Sequence, residues 1–110
     1  MTAQEKVKII TEALDSKKAV DIKVLKIEDL TVLTEYFVIA NGTSTTQVRA
    51  LADEVDFKTE EVGEKGRLEG KASDWQLLDF GDVIVHIFTE EAREHYNIEK
   101  LWADAEEITF

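Results

Sequence analysis

The two histidines are the side chains best suited to acid–base or metal chemistry in this cysteine-free chain. His86 lies in an apolar run and alternates with Ile84 and Phe88, which predicts that the three share one face of a strand. A metal ion needs further ligands at fixed spacing. His95 follows on a predicted helix, and no HExxH pattern is present. The spacing therefore favours a structural or interface histidine.

A glycine turn is the second chemical candidate. Gly42-Thr43-Ser44 stands where an apolar strand pattern gives way to a helical one. Backbone N–H groups at such a helix start can hold phosphate, and nucleotidyltransferases place a serine similarly. That chemistry also needs paired carboxylates to hold magnesium, and the next predicted strand offers only Glu69. Helix capping by Ser44 is the preferred interpretation, and a nucleotide-binding or nucleotidyl-transferring enzyme is the alternative.

Asp79-Phe80-Gly81 matches three letters of a protein-kinase motif. A kinase also needs a glycine-rich loop, a strand lysine and a catalytic loop, and the chain contains none of them. The motif separates two strand-like runs at the spacing of a hairpin. It therefore predicts a turn.

Charge is the strongest compositional feature. The 110 residues, enough for one domain, include 24 acidic and 13 basic side chains and give a net charge of −11. This field opposes binding to nucleic-acid phosphates and favours a basic partner, although acids also simply keep a small protein soluble. The lack of cysteine fits a reducing compartment. No signal segment or apolar run of the ~20 residues needed to span a bilayer is visible, so a cytoplasmic location is expected.

The hydrophobic periodicity predicts a single α/β domain, 1–110, with a mixed sheet of about five strands flanked by helices. Capping boxes are predicted at Thr2 with Glu5 and at Ser44 with Gln47. The predicted order is α-β-β-α-β-β-β-α-α. Its segments are a helix at Ala3–Lys17, strands at 21–27 and 36–40, a helix from Ser44 to Gly63 with Val48, Leu51, Ala52, Val55 and Val62 in the core, strands at 66–70, 76–78 and 83–88, a helix from Thr89 to Tyr96, a further turn capped by Asn97 through Trp102, a polar connection at 71–74, and a frayed end at 103–110.

Trp75 and Trp102 bound the densest aromatic block of the chain. Trp75 directly precedes a predicted strand, where a tryptophan is either part of the core or an exposed anchor. Composition slightly favours the core. Exposure would carry meaning, because tryptophan is enriched at interface hot spots. Trp102 has helical spacing from Ile98, which indicates packing.

Taken together, these motifs resemble the ribosomal silencing factors, also called the Iojap-related family. The resemblance covers about residues 18–102. One departure is Glu35, where the family usually has aspartate. The matching pieces are Tyr36-Phe37-Val38-Ile39, Gly42-Thr43-Ser44 with Gln47 and Ala50, Glu69-Gly70, Trp75, the run Leu78–Phe88, and Arg93, Tyr96, Glu99, Leu101 and Trp102.

The resemblance implies a non-enzymatic protein with a nucleotidyltransferase-like fold that has lost the catalytic acids. It implies binding to a large-subunit ribosomal protein (L-fourteen in bacterial naming), steric exclusion of the small subunit, and repression of translation under nutrient limitation. It implies no cofactor or metal, and a homodimer is a further expectation. A homodimer that binds some other protein partner is a third hypothesis. The predicted ribosomal-protein-binding residues are Trp75, Leu77, Leu78 and Asp79, with Glu69, Lys71 and Ser73 as a polar rim.

Overall fold

The computed structural model describes residues 1–109 as four helices and six strands. None of the helices in this range is long and apolar enough to cross a membrane. The helices are α1 (Ala3–Ser16), α2 (Thr45–Glu61), α3 (Glu90–Tyr96) and α4 (Ile98–Leu101), and the strands are β1 (Val20–Lys26), β2 (Tyr36–Gly42), β3 (Arg67–Ala72), β4 (Trp75–Asp79), β5 (Val83–Thr89) and β6 (Glu106–Ile108).

The strands form one sheet in the order β3-β4-β5-β2-β1-β6. β2 and β5 are parallel, and every other neighbouring pair is antiparallel. The predicted mixed sheet is thus confirmed, with six strands in place of about five. The run YFVIA lacks polar alternation because β2 is central and buried along its whole length.

Helices pack on both faces of the sheet, so alternate residues of a strand enter different cores. In β1, Val24 lies in the core under α1 and α2, and Leu25 lies in the core under α3. The first core is the larger and includes Ile10, Leu51 and Val85. Neighbouring residues of β1 therefore face opposite sides of the sheet.

The predicted helix starts are mostly confirmed. Thr2 and Glu5 form the full capping box, and Thr89 accepts a hydrogen bond from the Ala92 N–H at 3.2 Å. Ser44 also caps α2, but the Gln47 side chain accepts from Thr43 and does not complete the box.

Other local predictions are wrong. Val62, predicted in the core, is 47% exposed, and Thr59 is the buried residue at this end of α2. The further turn predicted after Asn97 is present as α4, with Asn97 at its N-cap position. Only the predicted capping is wrong, because Asn97 has a left-handed φ of 44°, which closes α3, and its side chain makes no hydrogen bond to α4. Lys71 belongs to β3, so the polar connection shortens to a turn at 73–74.

The prediction that residues 103–110 are frayed is wrong at residues 106–108, which form β6; Phe110 lies outside the described residues. β6 pairs with β1 in an antiparallel register that puts Ile108 opposite Val24. Ile108 packs against the larger core. A three-residue strand among acidic residues has little local signal, because its stability comes from a distant strand.

Candidate functional site

One half of the sheet presents charged side chains where the other half carries a helix. α3 packs against β2 and β5. On the same face of β3, Arg67, Glu69 and Lys71 form ion pairs, at 2.9 Å for Arg67 with Glu69 and 3.0 Å for Lys71 with Glu69. Hydrogen bonding and charge attraction to Lys71, and then attraction to Arg67, lower the pKa of the Glu69 carboxyl. This face of β3, at the edge of the sheet, therefore carries a row of solvent-accessible ion pairs formed by Arg67, Glu69 and Lys71, called here the charge ladder.

Trp75 lies at the boundary between the charge ladder and the covered half of the sheet. Its side chain is half-buried. The ring lies 5.2 Å from Phe88 and 4.6 Å from Tyr96, measured between centroids. Tyr96 is 41% exposed. Trp75 is therefore neither fully buried in the core nor fully exposed: one part of the indole packs on the core and the rest is accessible to solvent.

His86 is buried beside Trp75 on the next strand. The indole Nε1 of Trp75 donates a hydrogen bond to His86 Nδ1 at 3.2 Å. The ring makes an edge contact with Phe37, at 5.0 Å between centroids. Burial, and secondarily the positive charge of Lys71, lower the pKa of His86 to about 4. The ring is neutral at neutral pH, as expected for a structural histidine.

Four of the predicted binding residues share this face with Trp75. Leu77 and Asp79 follow it at the strand period, and Leu77 is 9% exposed. Glu69 lies directly opposite Leu77 on β3, and Lys71 pairs with Glu69. The structure thus brings Trp75, Asp79, Glu69 and Lys71 onto one surface, called here the β3–β4 face, and Leu77 points to the same side of β4 but is buried.

The remaining two predicted residues lie elsewhere. Leu78 points to the opposite side of β4 and is fully buried in the core under α1 and α2. No partner can reach its side chain in the folded protein, so its predicted role in binding does not fit the structure. Ser73 is exposed in the turn between β3 and β4, next to the β3–β4 face.

The structure also shows how the glycine turn is used. The Ser44 hydroxyl accepts from the Gln47 N–H at 3.1 Å, and the Val48 N–H bonds the Ser44 carbonyl at 3.0 Å. Thr43 donates to the Gln47 side chain. Glu69, the only acid of the next predicted strand, is three strands away from β2, or about 14 Å at the usual strand spacing. The arrangement matches helix capping and does not assemble a magnesium site.

The Asp79-Phe80-Gly81 motif forms the predicted hairpin turn. The Phe80 N–H bonds the Val83 carbonyl at 2.9 Å, and the Asp79 carboxylate accepts from the Gly81 N–H at 2.8 Å. Gly81 has a φ of +85°, which only glycine adopts without strain. The side chain of Asp79 therefore stabilises its own turn.

Sequence reasoning missed a buried arginine that joins four elements. The Arg93 guanidinium donates to Asn41 Oδ1 at 2.6 Å, to the Asp21 carbonyl at 2.7 Å and to Glu99 Oε1 at 2.7 Å. The hydrogen bond from Arg93 makes the largest contribution to lowering the pKa of the Glu99 carboxyl. Burial opposes this shift, and the weaker contact with Lys23 adds to it. A basic residue in the last turn of a short helix suggests only an interaction with the helix dipole, so no local signal could have identified this network.

Fold and site together define a small mixed-sheet α/β protein with an aromatic and charged surface on one half of its sheet. Among residues 1–109, no group of three or more His, Asp or Glu side chains has the arrangement of a metal site.

Comparison with known proteins supplies the family. The profile of the family described as "Ribosomal silencing factor during starvation" matches residues 1–110. The ribosomal silencing factor of Bacillus subtilis is 40% identical over 107 residues, which span 96% of this chain and 91% of that protein. The chloroplastic protein Iojap of Zea mays is 36% identical over 104 residues, or 90% of this chain and 44% of that protein.

Solved structures agree with these matches. A crystal structure of a Chromobacterium violaceum protein has a TM-score of 0.91 and 38% identity, and the match covers all of this chain and 92% of the other. A Bacillus halodurans protein gives a TM-score of 0.85 and 36% identity, with 97% and 99% covered. The chain belongs to the ribosomal silencing factor family.

Proposed function

We propose that this protein is a non-enzymatic inhibitor of ribosomal subunit association. It binds a large-subunit ribosomal protein, the one called L-fourteen in bacteria, and its bulk excludes the small subunit when nutrients are short. It acts in the cytoplasm. The observation that carries the proposal is the match of the whole chain to the silencing-factor family.

The β3–β4 face is the proposed docking surface. Steric exclusion needs a stable protein surface and no reacting group, and this face lies on a sheet packed on both sides. Trp75 supplies a partly exposed aromatic anchor, and such anchors dominate the energetics of many interfaces. Glu69 and Lys71 provide a polar rim. Asp79, whose carboxylate lies 3.3 Å from the Arg67 guanidinium, borders the other end.

The net charge of −11 supports a basic protein partner. Charges of opposite sign accelerate encounter between two proteins. The same field discourages adhesion to ribosomal RNA, whose phosphates are negative. A basic ribosomal protein therefore fits the electrostatics better than RNA does.

The test is a subunit reassociation assay. Purified large and small subunits are mixed in a buffer that contains magnesium ions, with increasing amounts of the protein. The joined particle is then quantified on a sucrose gradient. We expect the joined peak to fall and the protein to sediment with the large subunit. Trp75→Ala should need a much higher protein concentration for both effects, and Phe57→Ala, which changes an exposed aromatic on α2, should act as the wild type does. Unchanged joining at saturating wild-type protein would reject the proposal.

A further inference from the structure

The loop between β1 and β2 exposes a compact group of apolar side chains. Leu30, Val32 and Leu33 are 47%, 102% and 81% exposed. Single exposed hydrophobic residues are common on soluble proteins, but three within four positions form a patch that costs solubility without stabilising the fold. Such patches mark interaction sites.

Backbone hydrogen bonds hold this loop in a defined shape. The Ile27 N–H bonds the Glu35 carbonyl at 2.9 Å and closes the loop at its base. The N–H groups of Leu30 and Thr31 bond the Ile27 carbonyl at 2.9 and 3.1 Å. The Leu33 N–H bonds the Thr31 hydroxyl at 3.2 Å. The apolar side chains are therefore presented by a closed turn, which lowers the entropic cost of binding.

The loop borders the proposed docking surface. The Asp82 carbonyl accepts from the N–H groups of Glu35 and Tyr36, at 3.0 and 3.2 Å. Asp82 belongs to the hairpin turn, which begins directly after Asp79, the last residue of β4. One partner could therefore contact the β3–β4 face and the loop together.

Acidic side chains surround the apolar patch. Glu28 and Asp29 precede Leu30, and Glu35 follows Leu33. Among the described residues, an ion pair offsets only Glu28, which lies 3.2 Å from Lys26. A second copy of this chain would bring like charges together, and RNA or an anionic membrane would also be repelled. The complementary surface is an apolar side chain flanked by lysine or arginine.

We propose that loop 27–35 is a second contact site for the partner of the β3–β4 face, and that it takes an apolar residue within a basic protein segment of the large ribosomal subunit. This inference rests on the proposed function. It adds an acidic, apolar contact at the end of the sheet to the aromatic contact around Trp75.

The first test compares exposed apolar residues. The double variant Val32→Ser with Leu33→Ser should bind purified large subunits about tenfold more weakly in a sedimentation assay. Phe57→Ser, an equivalent change on α2, should bind as the wild type does. Urea unfolding should show that both variants keep wild-type stability, because these side chains are exposed. Wild-type affinity in the double variant would overturn the inference.

The second test identifies the occupant. A photo-reactive residue at position 32, irradiated on purified large subunits, should crosslink to a basic segment of a ribosomal protein. A crosslink to ribosomal RNA or to a second copy of this chain, or no crosslink, would overturn the inference. If the wild type itself does not sediment with large subunits, both the proposed function and the loop contact are rejected. If the wild type sediments with large subunits and the loop double variant does so equally well, the proposed function stands and only the loop contact is rejected.

Discussion

The indole Nε1 of Trp75 donates a hydrogen bond to Nδ1 of His86, at 3.2 Å, across the pair of strands β4 and β5. Because Nδ1 accepts this bond, the neutral imidazole carries its proton on Nε2, an atom that has no partner in the described structure. Protonation of Nδ1 would set two donors against each other. One buried histidine thus holds the orientation of the aromatic residue that is the proposed anchor.

Removal of the Trp75 ring should affect binding more than folding. Trp75→Ala is expected to weaken binding to large subunits by about thirtyfold, the loss typical of an aromatic hot spot. Urea unfolding should stay cooperative, because the indole is only half-buried. Trp75→Phe is the matched control: it keeps a ring and loses the N–H, and should retain most of the affinity. An unfolded Trp75→Ala protein would show that Trp75 is a core residue and that its placement at an interface is wrong.

Acid should destabilise the protein through His86. Its pKa is lowered to about 4 in the folded protein, chiefly by burial, and is about 6.5 in the unfolded chain. The folded state therefore resists protonation, and the His86 contribution to stability is present above about pH 6.5 and is lost as the pH falls toward about 4. Between about pH 7 and about pH 5 the free energy of unfolding should fall by roughly 2 kcal/mol from this group.

Urea titrations over that pH range measure the effect. The His86→Leu variant should lack this part of the pH dependence, so the difference between the two profiles isolates it from the titration of carboxylates. His95→Leu, at an exposed helical position, is the matched control. Parallel profiles for the wild type and His86→Leu would contradict the prediction.

The buried Arg93 should be far more important for stability than an exposed arginine. Arg93→Met removes the donor to Asn41 Oδ1, Glu99 Oε1 and the Asp21 carbonyl, and should lower the free energy of unfolding by about 3 kcal/mol. Arg49→Met breaks an exposed pair with Asp53 and should cost about 0.5 kcal/mol or less. Urea denaturation of both variants gives the comparison, and equal losses would show that the network does not stabilise the fold.

Association with the large subunit should slow as salt rises. Screening shortens the reach of the −11 charge to about 10 Å at ~0.1 M ionic strength. Stopped-flow or surface-binding experiments from about 0.05 to about 0.5 M salt should show a falling association rate and a smaller change in dissociation. A flat association rate would assign the acidic surface to solubility alone.

Much of the fold could be predicted from local patterns. The capping box at Thr2, the caps at Ser44 and Thr89, and the hairpin at Asp79–Asp82 all depend on residues within four positions of each other. The α/β class and the family pattern were likewise accessible from ordered motifs. β6 was missed because its three residues owe their conformation to β1, which lies about eighty positions earlier.

The candidate site was only partly accessible in the same way. The sequence predicts a strand at 76–78, within the observed β4, but it also predicts the same binding role for the neighbours Leu77 and Leu78. Alternation of a strand shows that neighbouring residues face opposite sides. It does not show which side the larger helices cover, and that decision placed Leu78 in the core.

The sequence by itself determined the types of the main elements, most of their boundaries and the membership of the chain in its family, because these depend on spacing along the chain. Only the tertiary structure decided that Trp75 is half-buried, that His86 is its partner, and that Arg93 joins helices and strands distant in sequence. These facts depend on strand order and on which helix lies over which strand. Long-range packing selects that arrangement, and no short pattern encodes it.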